Sequence, residues 1–459
     1  MTSPDATSSA ATSSAATAAP ATSWRDSLAV YLQPRVLIVL FLGFSSGLPL
    51  ALSGSTLLVW MREAGVDLKT IGLFALVGTP YTLKFLWAPL VDALHVPLFT
   101  RAFGRRRGWL VFSQALLIVA ILLLAMTDPA RSPFYVALGA LLVATTSSTQ
   151  DIVVDAFRVE SLPESEQAAG MAAYVAAYRI GMLVSTAGAL FIVSGFEDTG
   201  ISRTSAWMWG YVVMAAMVLI GTITALAATE PAQSAQAEAA THTETAFARV
   251  LSAAIGAFSE FLSRQDALAA LAFVVLFKFT DAFSGTMTAP FVIDLGFTRN
   301  DYAAIVKGVG LAATLIGGFA GGFVARRYPL AMSLWIGGVV QALANLSFAW
   351  LAMVGTNQWA LALAICAENF TSAIGTVIFV AYLSALCQNP LHTATQYALL
   401  TALAAVGRTY LSSSAGYVAS ATGWPMFFVI CVLVAIPSLV LLTWLQRRGH
   451  FEALGPVRV

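Results

Sequence analysis

The chain has 459 residues, of which 58% are hydrophobic and only 10% charged, with a mean hydropathy of +0.80. A soluble domain carries about 25% charged residues, so this chain lacks the polar surface to dissolve and belongs in a membrane. A net charge of +1 excludes the strongly basic face that nucleic acid requires. Three cysteines, Cys366, Cys387 and Cys431, fall in or beside apolar runs without metal-ligand or disulfide-framework spacing, and read as packing residues.

Residues 1–33 are mostly Ala, Ser and Thr with no apolar run, and predict a disordered extension. From Val36 onward the chain divides into twelve apolar stretches, each near the ~20 residues that cross a bilayer as a helix. Their limits are 36–60, 69–91, 109–127, 134–156, 167–194, 205–228, 267–293, 301–324, 330–353, 358–386, 393–419 and 424–445. A polar break at 229–266, with an amphipathic helix near its end, separates six from six. The expected fold is all-α and polytopic, twelve transmembrane helices in two pseudo-symmetric six-helix bundles. The corresponding division is tail 1–33, bundle 34–228, linker 229–266, bundle 267–446 and tail 447–459. Gly43, Gly47, Pro49, Gly54, Gly78 and Pro80 interrupt the first two spans and predict close packing or bends.

Fourteen of the 24 Lys and Arg residues fall on the side of both termini, five on the opposite side and five within spans. Basic residues mark the cytoplasmic side, so both termini are expected inside. The largest cluster, Arg105, Arg106 and Arg107, follows Asp92 in the loop between spans two and three. From the residues alone it reads as topology control by positive charge.

Spans five and eleven look like copies. Gln167 precedes Arg179 by twelve residues and Gln396 precedes Arg408 by twelve, while Ala169, Ala173, Ala176 and Ser185 recur as Ala398, Ala402, Ala405 and Ser414. A membrane chain built twice, with a cation repeated near mid-span, reads as a transporter with its pathway between the halves. Charges inside spans face the bundle interior or a watery cavity. At ~1.5 Å of rise per residue, Arg179, Arg408, Lys278, Asp281 and Glu368 lie near the bilayer centre. Asp151 and Lys84 lie deeper toward the cytoplasm, Asp155 near the inner interface and Lys307 near the outer one.

Each charge has a functional and a structural reading. Lys278 and Asp281, three apart on one helix face, form either a neutralising pair or a contact to substrate and proton. Glu368 is a candidate to load and release a proton, or a partner of Arg408. Asp151, beside Gln150, is a candidate partner of Arg179 that would mirror Glu368 with Arg408, or a static helix tie. Tyr81, Tyr174, Tyr178, Phe279 and Tyr382 are expected near these charges and serve either substrate contact or packing. His95, His242, His392 and His450 are scattered, and no nucleophile motif or phosphate-binding Gly loop occurs, so neither catalysis nor a metal or other cofactor is expected.

Several blocks together are more specific. Gly43-Phe44-Ser45-Ser46-Gly47-Leu48-Pro49, Asp67-Leu68-Lys69-Thr70-Ile71-Gly72, Lys84-Phe85-Leu86-Trp87-Ala88-Pro89 and Gly104-Arg105-Arg106-Arg107-Gly108-Trp109 are four of them. Gln150-Asp151-Ile152-Val153-Val154-Asp155, Tyr178-Arg179-Ile180-Gly181, Glu368-Asn369-Phe370-Thr371 and Val406-Gly407-Arg408 complete the set. Over residues 34 to about 440 the chain resembles the AmpG-type muropeptide permeases of the major facilitator superfamily, a family that also includes acetyl-CoA transporters. It departs at Ser372-Ala373-Ile374, where relatives often carry glycine. The resemblance implies import of anhydro-muramyl peptides across a bacterial inner membrane by proton symport, with another amphipathic anion such as acetyl-CoA, or a drug-like solute, as the alternative. Its pathway contacts, carried over, would include Gln150, Asp151, Arg179, Lys278, Asp281, Glu368 and Arg408. Together with the reading of the residues, the expected substrate pathway is Gln150, Arg179, Lys278, Arg408, Tyr178 and Tyr382, with proton coupling by Asp151, Asp281 and Glu368. The gate would comprise Asp92, Arg105, Arg106, Arg107, Asp155 and Arg158. The expected partners are an anionic glycopeptide, protons and the lipid bilayer, with the chain acting as a monomer.

Overall fold

The computed structural model describes residues 29–231, 262, 266–387 and 393–454. Most of the predicted tail and linker, including the expected amphipathic helix, lies outside those residues; of the tail, Val30–Leu32 forms a helical turn. Among the described residues every regular element is helical. Ten helices are long and apolar enough to cross a membrane. They are α1 (Pro34–Glu63), α3 (Arg105–Ala125), α4 (Pro133–Ser161), α5 (Ala169–Asp198), α6 (Arg203–Ala227), α7 (Ala267–Asp294), α8 (Arg299–Ala325), α9 (Leu330–Val354), α10 (Gln358–Leu386) and α12 (Trp424–Arg447). The other two expected spans are present but broken. In α2 (68–93), Pro80 and Pro89 each open a new short helix, since proline lacks the N–H that would continue the preceding one. In α11 (393–422) a tight turn at Leu411–Ser414 interrupts the helix. The expected C-terminal tail contains a further helix, α13 (His450–Ala453), which packs back on α12.

The repeat seen in the sequence has a structural counterpart. Helix α5 lies along α1, and α11 lies along α7; likewise α2 pairs with α4, and α8 with α10. Backbone contact explains the glycines of α1. A Cβ on Gly47 would sit 2.0 Å from the Tyr178 carbonyl oxygen, and one on Gly43 would sit 2.6 Å from that of Tyr174. Both residues are therefore required for α1 to meet α5 backbone to backbone, as small residues do in membrane helix pairs. Gly47→Ala is expected to cost about 1–3 kcal/mol through overpacking, read as a drop in the yield and melting temperature of monodisperse protein. Gly54, with φ −102° and ψ −110°, instead breaks the helical backbone, and α1 bends there.

The buried core shows how the halves meet. One cluster runs through both bundles, joining Trp60, Trp207 and Tyr211 of the first to Phe291, Phe348 and Phe428 of the second. It occupies the end where α1, α5 and α7 finish. At the opposite end the core is split: Leu42, Leu110, Phe157 and Ala225 pack within the first bundle, and Phe273, Tyr382, Leu386 and Leu445 within the second. The main pairings between halves, α1 with α7, α5 with α8 and α2 with α11, follow the same division. Among the described residues the bundles are sealed at one end and parted at the other.

Candidate functional site

Between the bundles lies a chamber of three adjoining lobes. The central lobe, of about 480 Å³, is lined by α1 and α2 on one side and by Asp281, Glu368, Arg408 and Thr409 on the other. A second lobe of about 280 Å³ is lined by Arg179, Thr186, Lys307, Thr314, Glu368 and Asn369 among others. The third, of about 220 Å³, lies in the second bundle among Lys278, Asp281, Thr376 and Arg408. Glu368 borders the first two lobes, while Asp281 and Arg408 border the first and third.

The sequence expectations for the five mid-span charges converge here: Arg179, Lys278, Asp281, Glu368 and Arg408 all line the chamber. Lys278 Nζ lies 3.1 Å from Asp281 Oδ2 and donates to Thr376 Oγ1 at 2.8 Å, while Ser372 Oγ donates to Asp281 Oδ1 at 2.7 Å. Asn369 Nδ2 donates to Glu368 Oε2 at 2.8 Å. Ser372 and Thr376 follow Glu368 at steps of four, so α10 presents one polar stripe to the chamber. That spacing was the readable signal for both residues, although their types do not announce it.

Two expected pairs are absent. Neither Arg408 with Glu368 nor Arg179 with Asp151 forms an ion pair among the described residues; both arginines are exposed to the chamber. The mirrored arrangement fails because Asp151 stands nineteenth in α4 and Glu368 eleventh in α10, some two turns apart in depth. Asp151 is only 6% exposed and sits with Ser46, Ser147 and Gln150 inside the first bundle. Ser46 Oγ, Ser147 Oγ, Gln150 Oε1 and Asp151 Oδ1 there lack hydrogen-bond partners on the protein, while Gln150 Nε2 donates to Ser45 Oγ at 3.4 Å. Tyr178 is half-buried with its ring against Tyr174. Tyr382, expected in the pathway, is a packing residue: it is 0% exposed in the inner core of the second bundle, with its hydroxyl 3.1 Å from His450 Nε2. Its place in the second half of α10 carries it past the chamber. Lys307, expected near the outer interface, lines the lobe that holds Arg179, from the ninth position of α8.

The basic loop is tied within its own bundle. Arg105 and Arg106 bind Glu160, Arg106 at 2.6 Å, and the backbone N–H groups of Arg106 and Arg107 donate to Glu230 at 2.7 and 3.0 Å. Glu230 thus caps the free N-terminal donors of α3. Gly104 makes room for it, with φ +95° and a virtual Cβ only 2.5 Å from Glu230 Cδ. Asp155 and Arg158 are therefore not the partners of this loop; they face each other at 3.9 Å. Glu160 takes the role because it sits at the rim of α4, more than a turn beyond Asp155. Asp92 lies on α2, with its side chain outside the described residues.

The ion pairs between bundles are at the other end among the described residues. Arg299, 6% exposed, reaches Glu63 of α1 at 2.8 Å and Glu197 of α5 at 3.1 Å. Its guanidinium also lies 5.4 Å over the Trp207 ring, while Trp207 Nε1 donates to Glu63. Arg62 pairs with Asp294, which also accepts from Trp424 Nε1. Among the described residues no three His, Cys, Asp or Glu side chains gather as a metal site.

Comparison with known proteins agrees with this architecture. The family model described as Major Facilitator Superfamily matches residues 39–409. The chain is 39% identical over 416 residues to the anhydromuropeptide permease of Escherichia coli (strain K12), covering 90% of this chain and 80% of that protein. It is 34% identical to putative transporter AmpG 4 of Rickettsia felis, covering 91% and 98%. Among solved structures, nucleoside transporter NupG superposes with a TM-score of 0.68 at 14% identity, covering 92% and 100%. A D-xylose-proton symporter gives 0.65 at 12%, covering 90% and 97%. These two likenesses concern the fold.

Proposed function

Because the chain belongs to the AmpG-type muropeptide permeases of the major facilitator superfamily, a family of transporters and not enzymes, we propose that it imports anhydro-muramyl peptides by proton symport. The observation that carries the anionic half of this reading is the chamber itself. Arg179 and Arg408 line it, one from each bundle, with no carboxylate within ion-pair distance among the described residues. An unpaired cation in a membrane interior is costly unless a ligand or water meets it.

With both termini in the cytoplasm, the sealed end faces the periplasm and the parted end faces the cytoplasm. The chain then stands in its inward-facing state, with Arg299, Glu63, Glu197, Arg62 and Asp294 as the outer latch. Inward release and outward reloading follow from rocking of one bundle against the other. Proton coupling falls to Glu368 and Asp281, which face the chamber, with Asp151 on a separate polar seam. Protonation of Glu368 raises the positive charge of the cavity as an anion arrives, so the two binding events favour each other. The Lys278–Asp281 pair supplies a second exchangeable partner, held in place by Ser372 and Thr376. Gln150, 0% exposed, belongs with Asp151 to that seam, and the tied basic loop holds α3, α4 and α6 together as that bundle moves.

Counterflow in proteoliposomes tests the ligand without any gradient. Vesicles loaded with unlabelled anhydro-muramyl peptide should accumulate the labelled form transiently, and free peptide of the same sequence should compete poorly. Absence of counterflow from correctly folded protein would refute the muropeptide assignment.

A further inference from the structure

Lys307 takes no part in the reading above, yet its place in the chamber bears on the substrate's charge. It projects from α8 of the second bundle into the lobe that Arg179 enters from α5 of the first. Neither cation has a carboxylate within ion-pair distance among the described residues, and the Lys307 ammonium lies 5.4 Å over the Tyr302 ring. Arg408, also without an ion-pair partner among the described residues, lines the other two lobes. Lys278 is neutralised by Asp281. What remains is three cations, Arg179, Lys307 and Arg408, against the single carboxylate of Glu368, which stands between the lobes. The chamber therefore carries a surplus of two positive charges, divided between the lobe of Arg179 and Lys307 and the lobes of Arg408.

Two like charges sharing a lobe of about 280 Å³ repel each other in a medium of low dielectric. The arrangement is stabilised when an anion sits between them. We infer that the chamber is built for a ligand with two separated anionic groups, one taken by Arg179 with Lys307 and the other by Arg408. An anion in the lobe of Arg179 and Lys307 would bridge the two bundles, since its two cations come from different halves. A dianion cancels the surplus charge; a monoanion leaves one end unmet. This deepens the reading of the chain as a muropeptide importer, and narrows its substrate to peptides that keep two free carboxylates. The same chemistry is offered by a ligand with two separated phosphate sites, such as acetyl-CoA with its diphosphate and its 3′-phosphate.

The test is binding to the purified full-length protein in lipid nanodiscs, read by calorimetry. The probes are an anhydro-muramyl peptide with two free carboxylates, the two analogues with one or the other carboxylate amidated, and acetyl-CoA beside a form with fewer phosphate charges. Wild-type protein should prefer the dicarboxylate over each mono-amide by about tenfold or more, as expected for charge-assisted contacts. Lys307→Gln should weaken the dicarboxylate by a similar factor while leaving one mono-amide almost unaffected, and Arg408→Gln should show that selectivity for the other mono-amide. Lys307→Arg should restore most of the affinity. Equal losses on all ligands, or none, would overturn the inference. If the peptides fail to bind but acetyl-CoA shows the same charge dependence, the muropeptide assignment falls and the two-anion chamber stands. If no ligand with two anionic groups outperforms its singly charged counterpart, the inference is wrong whatever the substrate.

Discussion

Replacing Arg179 or Arg408 by alanine should lower uptake of an anionic substrate by about 10–100-fold each, the range expected for loss of one charge-assisted hydrogen-bonding contact. The protein should still reach the membrane in normal amount. The second expectation is as informative as the first, and it follows from the geometry. Neither arginine has an ion-pair partner among the described residues, so its removal leaves no buried carboxylate uncompensated. Ordinary membrane charges behave otherwise, because truncating one member of a buried pair destabilises the fold. Lysine at either position should give an intermediate result, since it keeps the charge but loses the planar fork that grips a carboxylate with two hydrogen bonds. The measurement is initial uptake rate normalised to protein in the membrane. Full activity in both alanine variants would remove the paired cations from the mechanism.

Arg299→Gln should produce the opposite combination, a folded protein trapped away from the state described here. Arg299 is 6% exposed and meets Glu63 and Glu197, whose side chains are 11% and 26% exposed. Its loss leaves two carboxylates facing each other at the sealed end. Breaking a buried pair costs about 3–5 kcal/mol. The three residues come from α1, α5 and α8, so that cost acts on the closure between bundles more than on either bundle alone. A bias of 3 kcal/mol shifts a two-state equilibrium on the order of a hundredfold. A cysteine at Leu58, which lines the chamber, reports the shift once Cys366, Cys387 and Cys431 are replaced. Its reaction with a membrane-impermeant reagent from the periplasmic side should accelerate at least tenfold in Arg299→Gln, and the charge swap of Glu63→Arg with Arg299→Glu should slow it again. Unchanged labelling would show that the latch lies elsewhere.

The fold was legible because apolar stretches of the right length are set by the bilayer and need no tertiary information. The expected limits of 330–353 and 358–386 agree within a residue with α9 and α10. The exceptions are local: α2 and α11 are broken by prolines and a serine turn that leave average hydropathy unchanged. The repeat of Arg179 in Arg408 also placed both cations correctly in the chamber, because a buried charge in an apolar helix has few places to go. Pairing was not legible. Glu160 and Asp155 differ by five positions on one helix, and only the arrival of α3 and Glu230 decides which of them meets the arginines. Lys307 is the ninth residue of α8, and depth alone does not say that it faces the lobe of Arg179. Arg299 and Glu63 looked like ordinary span-end charges, and what makes them a latch is that the ends of α1, α5 and α8 converge. Tyr382 failed for the converse reason: an aromatic on a pathway helix packs into the core on the far face.

The central claim is gradient-driven import, and the direct measurement is uptake of labelled anhydro-muramyl peptide into right-side-out and inverted membrane vesicles, with and without an imposed proton gradient. Accumulation above equilibrium is expected in right-side-out vesicles, abolished when the gradient is collapsed and reduced in Glu368→Gln. Uptake that is indifferent to the gradient, or accumulation only in inverted vesicles, would contradict it.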